Sequence, residues 1–129
     1  HYLLEPSVIF LDDGLQPKIS GFDTSALIQS GIPDDCWVIA PEQRNPEKFG
    51  NPGKKTDIYQ VGAIFYYLLS GQVLNCFESI SSLPSHFRSD YGVYDPIIKK
   101  SVHIDKNERY GDIREMIHEI DTLLQTFKK

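Results

Sequence analysis

Apolar positions along the chain fall into three patterns. Val8-Ile9-Phe10-Leu11 is a short apolar run, and Gln16-Pro17-Lys18-Ile19-Ser20 returns after Asp12-Asp13-Gly14. Asp and Gly between that run and a second short strand are turn chemistry, with Gly14 expected to supply a positive φ. This predicts one small β-hairpin over residues 8–20, with Pro17 at an edge or strand start because it cannot donate a ladder bond. The second pattern, Asp57–Ser70, is apolar nearly all round: Ile58, Val61, Ala63, Ile64, Phe65, Tyr66, Leu68, Leu69. A helix apolar on every face belongs at the centre of a fold. Thr56 or Asp57 can cap its start, and Gly71 suits its left-handed end. The third pattern is Ile113, Met116, Ile117, Ile120, Leu123, Leu124 and Phe127, the 3/4 spacing of an amphipathic helix begun by Gly111-Asp112. Pro96–Val102 predicts a shorter helix. Residues 21–35 and 44–55 read as loops, with at most one helical turn near Ser25–Gln29. The more apolar residues 36–42 between those loops are expected on the core.

The layout is mostly α, with few helices to surround the central one. Part of its packing is therefore expected to come from elsewhere. The 129 residues are one domain's length, and 40% hydrophobic with 24% charged residues is an ordered composition. Thirteen basic against eighteen acidic residues give −5, which argues against a nucleic-acid groove and a polybasic membrane anchor. No run approaches the ~20 apolar residues of a membrane span. Cys36 and Cys76 are too few for a disulfide framework and lack zinc-site spacing. The chain opens on His1 with no charged-then-apolar leader, so an intracellular, cytoplasmic location is expected. A longer parent protein is an open reading.

The order of motifs resembles the C-terminal lobe of a eukaryotic-type Ser/Thr protein kinase. His1-Tyr2-Leu3-Leu4-Glu5-Pro6 resembles the catalytic-loop pattern H-R-D-L-K-P. Val8 through Gly14 resembles the N-I-L-L-D-x-x-G strand, and Pro17 through Asp23 the P-K-I-x-D-F-G entry to the activation segment. Ala40-Pro41-Glu42 matches A-P-E. Thr56-Asp57-Ile58-Tyr59 through Gly62, with Leu68-Leu69-Ser70-Gly71, resembles the lobe's central helix. Asp105 through Arg109 resembles D-P-x-x-R. The resemblance divides the chain into a catalytic-loop remnant (1–8), the hairpin (8–20), an activation-segment-like stretch (21–42) and a helical remainder (56–129). It implies a mostly α lobe of an α+β family.

The departures fall on the chemistry. Leu3 stands at the family's catalytic aspartate, the acceptor of the substrate hydroxyl's proton. Glu5 stands at its phosphate-steadying lysine, a charge reversal. Val8 replaces the metal-binding asparagine, and Gly21 the metal-binding aspartate of D-F-G. Phosphoryl transfer rests on positioning and charge neutralisation, so these four losses imply no catalytic residue. Asp23 is a candidate substitute metal ligand, and a solvated or capping Asp is the plainer reading. Paired Asp12-Asp13 is explained by the turn. Thr24, Ser25 and Ser30 lie where activation-segment phosphorylation occurs, but the family's arginine receiver is Tyr2 here. Cys36 has no basic neighbour to lower its pKa. His86, His103 and His118 read as surface residues. The residues retained are structural by resemblance: Glu42 and Arg109 as a buried ion pair, Asp57 bracing the catalytic-loop backbone, and His1 packed beside Phe22.

The expectation is a catalytically inactive, pseudokinase-like module for protein interaction or regulation, with no cofactor. Its partner would be another protein, the protein's own N-terminal portion or a second copy, engaged near Tyr66 and Tyr67. The alternative is the C-terminal half of an atypical Ser/Thr kinase, with ATP and Mg²⁺ bound only when an N-lobe is supplied.

Overall fold

The computed structural model describes residues 1, 3–22, 37–74 and 91–128. Within them lie a two-stranded antiparallel hairpin, β1 (Ile9–Leu11) and β2 (Pro17–Ile19), and five α-helices. The helices are α1 (Pro41–Arg44), α2 (Pro46–Phe49), α3 (Lys54–Ser70), α4 (Asp95–Ser101) and α5 (Ile113–Phe127). The described residues are mostly helical with one hairpin, as pattern and resemblance implied.

The hairpin pairs Ile9 with Ile19, Phe10 with Lys18 and Leu11 with Pro17, so Pro17 does open its strand. Its turn departs from expectation at one residue. The positive φ falls on Leu15 (61°), not on Gly14. The Asp12 carboxylate accepts from the Gly14 and Gln16 amides, both at 2.9 Å, and this local network holds Leu15 in the left-handed region. The 44–55 stretch also differs, because it holds α2 and the end of α1. Each of these helices is a single turn with proline in its first turn, where a missing N–H costs nothing. The Asn45 side chain accepts from the Lys48 amide and caps α2.

The central helix α3 begins three residues before Asp57, and its N-cap is Gly53 rather than Thr56 or Asp57. Thr56 instead lies one turn in, and its hydroxyl oxygen accepts from the Gly53 amide at 2.9 Å. Gly71 ends the helix at φ 70° and donates its amide to Tyr67, as the left-handed cap requires. One apolar cluster joins α3 (Tyr59, Ala63, Ile64, Tyr66) to Leu4, Val38, Ala40, Leu74, Ile98 and Val102. A second joins Ile58 to Ile97, Tyr110 and Met116. The α3–α4 crossing is close because residue 62 is glycine. A Cβ at that position would lie 2.5 Å from Ser101 Cβ and 2.9 Å from Val102 Cγ1.

Coverage of α3 is incomplete. Val61, Phe65 and Leu69 are half-buried, and Leu68 is exposed. At 100° per residue these four share one side of the helix. Ile64 is buried, so the helix is central, and among the described residues this flank is covered only in part, with Phe65 meeting Tyr94 at 5.2 Å between ring centroids.

Candidate functional site

Two polar systems fix the site's framework. The first is built on α1, which opens at Pro41 and buries Glu42 one residue later. Arg109 arrives from the turn after the Lys106–Glu108 3-10 helix. Its Nη1 donates to Glu42 Oε1 at 2.7 Å and its Nη2 to Glu42 Oε2 at 2.9 Å, with both side chains fully buried. The guanidinium also donates to the carbonyls of His103 (2.8 Å) and Lys55 (2.9 Å) and lies 4.9 Å from the Tyr59 ring centroid. The Thr56 hydroxyl donates to Glu42 Oε1 at 2.8 Å. Burial by itself would raise the Glu42 carboxyl. The paired hydrogen bonds and charge of Arg109 outweigh burial and hold the group below its ordinary value.

The second system holds residues 1–5. The His1 backbone nitrogen donates to Asp57 at 2.9 Å. The His1 ring is fixed from both sides. Its Nε2 donates to the Ser20 carbonyl at 2.6 Å and its Nδ1 accepts from the Leu3 amide at 3.3 Å. A carbonyl only accepts and an amide N–H only donates, so this geometry assigns the Nε2–H tautomer. Phe22 meets the imidazole edge-on, with ring centroids 4.8 Å apart at 67°.

A third tie was not anticipated from sequence. Gln60, fully buried on α3, donates to the Val38 carbonyl (3.3 Å) and to Gln43 Oε1 (3.2 Å), and accepts from the Leu4 amide (3.3 Å). It joins the 1–5 segment, the 37–40 segment and α1 at one side chain. The available signal was a lone amide inside an otherwise apolar helix, where a buried polar group must find partners.

The positions at which the resemblance placed chemistry carry little of it. Leu3 and Val8 are half-buried, and Val8 packs against the main apolar cluster. Glu5 accepts a hydrogen bond from the Ser7 hydroxyl. Gly21 has φ 80°, and a Cβ there would sit 3.3 Å from Val8 Cγ1. Any L-residue at Gly21 is therefore strained and crowded. Asp23 lies outside the described residues, as do Tyr2, Thr24, Ser25, Ser30, Cys36, Cys76 and His86. Among the described residues no cluster of three or more His, Cys, Asp or Glu could hold a metal ion.

The expected contact surface at Tyr66 and Tyr67 needs correction. Tyr66 is 7% exposed and belongs to the core, its hydroxyl donating to Gln72 at 3.2 Å. Tyr67 is 36% exposed and packs against Trp37, with centroids 5.0 Å apart. Tyr66 is therefore not a surface residue, and Tyr67 is the partly exposed member of the pair. The open apolar surface lies on another side of α3. A groove of about 570 Å³ is lined there by Leu4, Ile19, Phe22, Ile58, Val61 and Ile113, with His1, Lys54, Asp57, Asp112 and Arg114 completing it. Phe22 is 63% exposed within it.

Among the described residues no helix is long and apolar enough to cross a membrane. No protein-family model matches the chain. The sequence is 33% identical over 109 residues to CBL-interacting protein kinase 10 of Oryza sativa subsp. japonica, covering 70% of this chain and 24% of that protein. The chain thus spans about a quarter of the curated relative's length and is similar to part of a protein kinase.

Proposed function

We propose that the chain is a catalytically inactive protein-kinase-like domain that works as a protein-interaction or regulatory module, without ATP or Mg²⁺. The observation that carries this is the joint state of Leu3, Glu5, Val8 and Gly21. Leu3, Val8 and Gly21 carry no proton acceptor or metal-ligand atom, and Glu5 sets a negative charge where the family has its phosphate-steadying cation, while the Glu42–Arg109 and His1–Asp57 ties are intact. Transfer of a phosphoryl group needs charge neutralisation at several points together, and one surviving carboxylate cannot supply it. The apolar groove beside α3 supports the binding half of the proposal, because a concave apolar surface of this size suits a protein segment presenting apolar side chains.

The test is thermal unfolding with ATP and Mg²⁺ or Mn²⁺, paired with a phosphate-transfer assay on the longest natural form of the protein. No shift in melting temperature and no transfer above background are expected. Transfer that is abolished by Glu5→Ala or Asp23→Ala would overturn the proposal in favour of an atypical active kinase.

A further inference from the structure

Helix α5 is 15 residues long, and its apolar arc is wider than the core it covers. At 100° per residue Met116, Ile120, Leu123, Ile113, Leu124, Phe127 and Ile117 span about 120° of its circumference. Met116, Ile120 and Leu123 pack against the cluster around Ile97 and Tyr110. The other side of the arc is open to solvent, with Ile113 39%, Ile117 49% and Leu124 42% exposed, and Phe127, in line with Met116 and Ile120 at the helix end, is 57% exposed. Ile113, Ile117, Ile120, Leu124 and Phe127 succeed one another at steps of four and three, the 3.5-residue repeat of a helix-pairing seam.

The charges beside this seam select its partner. Arg114, Asp121 and Lys128 lie along the solvent-side flank, seven residues apart, where helix-pairing charges sit. The opposite flank is Met116 and Leu123, turned to the core. A parallel copy would set the charged flank against that apolar one. An antiparallel copy sets charged flank against charged flank. With a two-fold axis near Leu124, Asp121 of each copy meets Lys128 of the other, and the contact is made twice by symmetry. Among the described residues neither Asp121 nor Lys128 has an ion-pair partner, whereas Arg114 is already held by Asp112 at 3.0 Å. Residues 121–128 are exposed except for Leu123, so the final turns of α5 stand clear of the body and a second helix can reach them.

We infer that two copies of this chain pair through the C-terminal half of α5, antiparallel, with Ile120, Leu124 and Phe127 at the contact and reciprocal Asp121–Lys128 ion pairs. The patch is small against the ~800 Å² per partner of a standard interface, so the dimer is weak. The inference goes beyond the proposed protein-binding role and does not depend on the loss of phosphoryl transfer.

Sedimentation velocity of the 129-residue chain, from about 10 μM to about 1 mM, spans the range in which so small an interface associates. A dimer population that rises with concentration and falls with salt is expected. Phe127→Asp should abolish it. Asp121→Lys or Lys128→Asp alone should weaken it by about fivefold or more, and the double exchange should restore it. All three side chains are exposed, so these variants keep the fold, which circular dichroism verifies. A chain monomeric throughout, a dimer indifferent to Phe127→Asp, or a double exchange that fails to restore association would each overturn the α5 interface. None of these outcomes bears on the nucleotide and transfer assays above, so the two proposals fail separately.

Discussion

Removing the Arg109 guanidinium should be among the most damaging single changes in this chain, and its cost should depend on pH in a defined direction. Arg109→Ala deletes both bonds to Glu42 and those to the His103 and Lys55 carbonyls. It leaves a carboxylate with no exposed surface and the Thr56 hydroxyl as its remaining side-chain donor. Breaking a buried pair from one side costs ~3–5 kcal/mol, because the remaining charge stays desolvated. Lys128→Ala, on an exposed side chain, should stay within ~0.5 kcal/mol. In the native chain the Glu42 carboxyl is lowered, so its contribution is present above the ordinary value near 4.5 and is lost as pH falls through the folded value. Without Arg109 the balance reverses. Burial is unopposed, the carboxyl rises above its unfolded value, and the variant recovers part of its deficit as acid protonates it. Urea unfolding of both proteins at pH 7 and pH 4 measures this directly. The gap should be several kcal/mol at pH 7 and should narrow toward pH 4. A deficit matching Lys128→Ala, or one unchanged by pH, would refute the reasoning.

Three further outcomes are expected. Gly62→Ala forces a methyl to 2.5 Å from Ser101 Cβ and should cost ~1–3 kcal/mol in chemical denaturation by driving α3 and α4 apart. Gln60→Leu leaves the Leu4 amide and the Val38 carbonyl without their shared partner, so it should cost ~1–3 kcal/mol and speed hydrogen exchange of the Leu4 amide. Gly21→Asp places the family's metal-binding residue in a left-handed, crowded position. It should lower the melting temperature, by the ~1–2 kcal/mol of left-handed strain, and produce no Mg²⁺-dependent response to ATP.

The sequence by itself determined the three longer helices, α3, α4 and α5, because their signals are local, whereas the single-turn α1 and α2 read as core segment and loop. The apolar run ending at Gly71 placed α3, and the 3/4 spacing after Asp112 placed α5, where the Asp112 side chain accepts from the Arg114 amide at 2.8 Å. It determined the hairpin for the same reason, turn chemistry between a short apolar run and the short strand that returns after it. Motif order also brought Glu42 and Arg109 together on paper across 67 positions, which no periodicity could do. Tertiary structure decided the rest. Which side of α3 stays open depends on where α4 and the 37–40 segment pack, so Tyr66 went to the core and the groove formed around Val61 and Phe22. The central role of Gln60 depends on two backbone segments meeting at one amide, and neither is its neighbour in sequence. The left-handed residue of the hairpin fell on Leu15 because the Asp12 carboxylate's hydrogen bonds outweighed the intrinsic preference of Gly14. Local patterns fix what a segment can become, whereas exposure and partnership are properties of the packed whole.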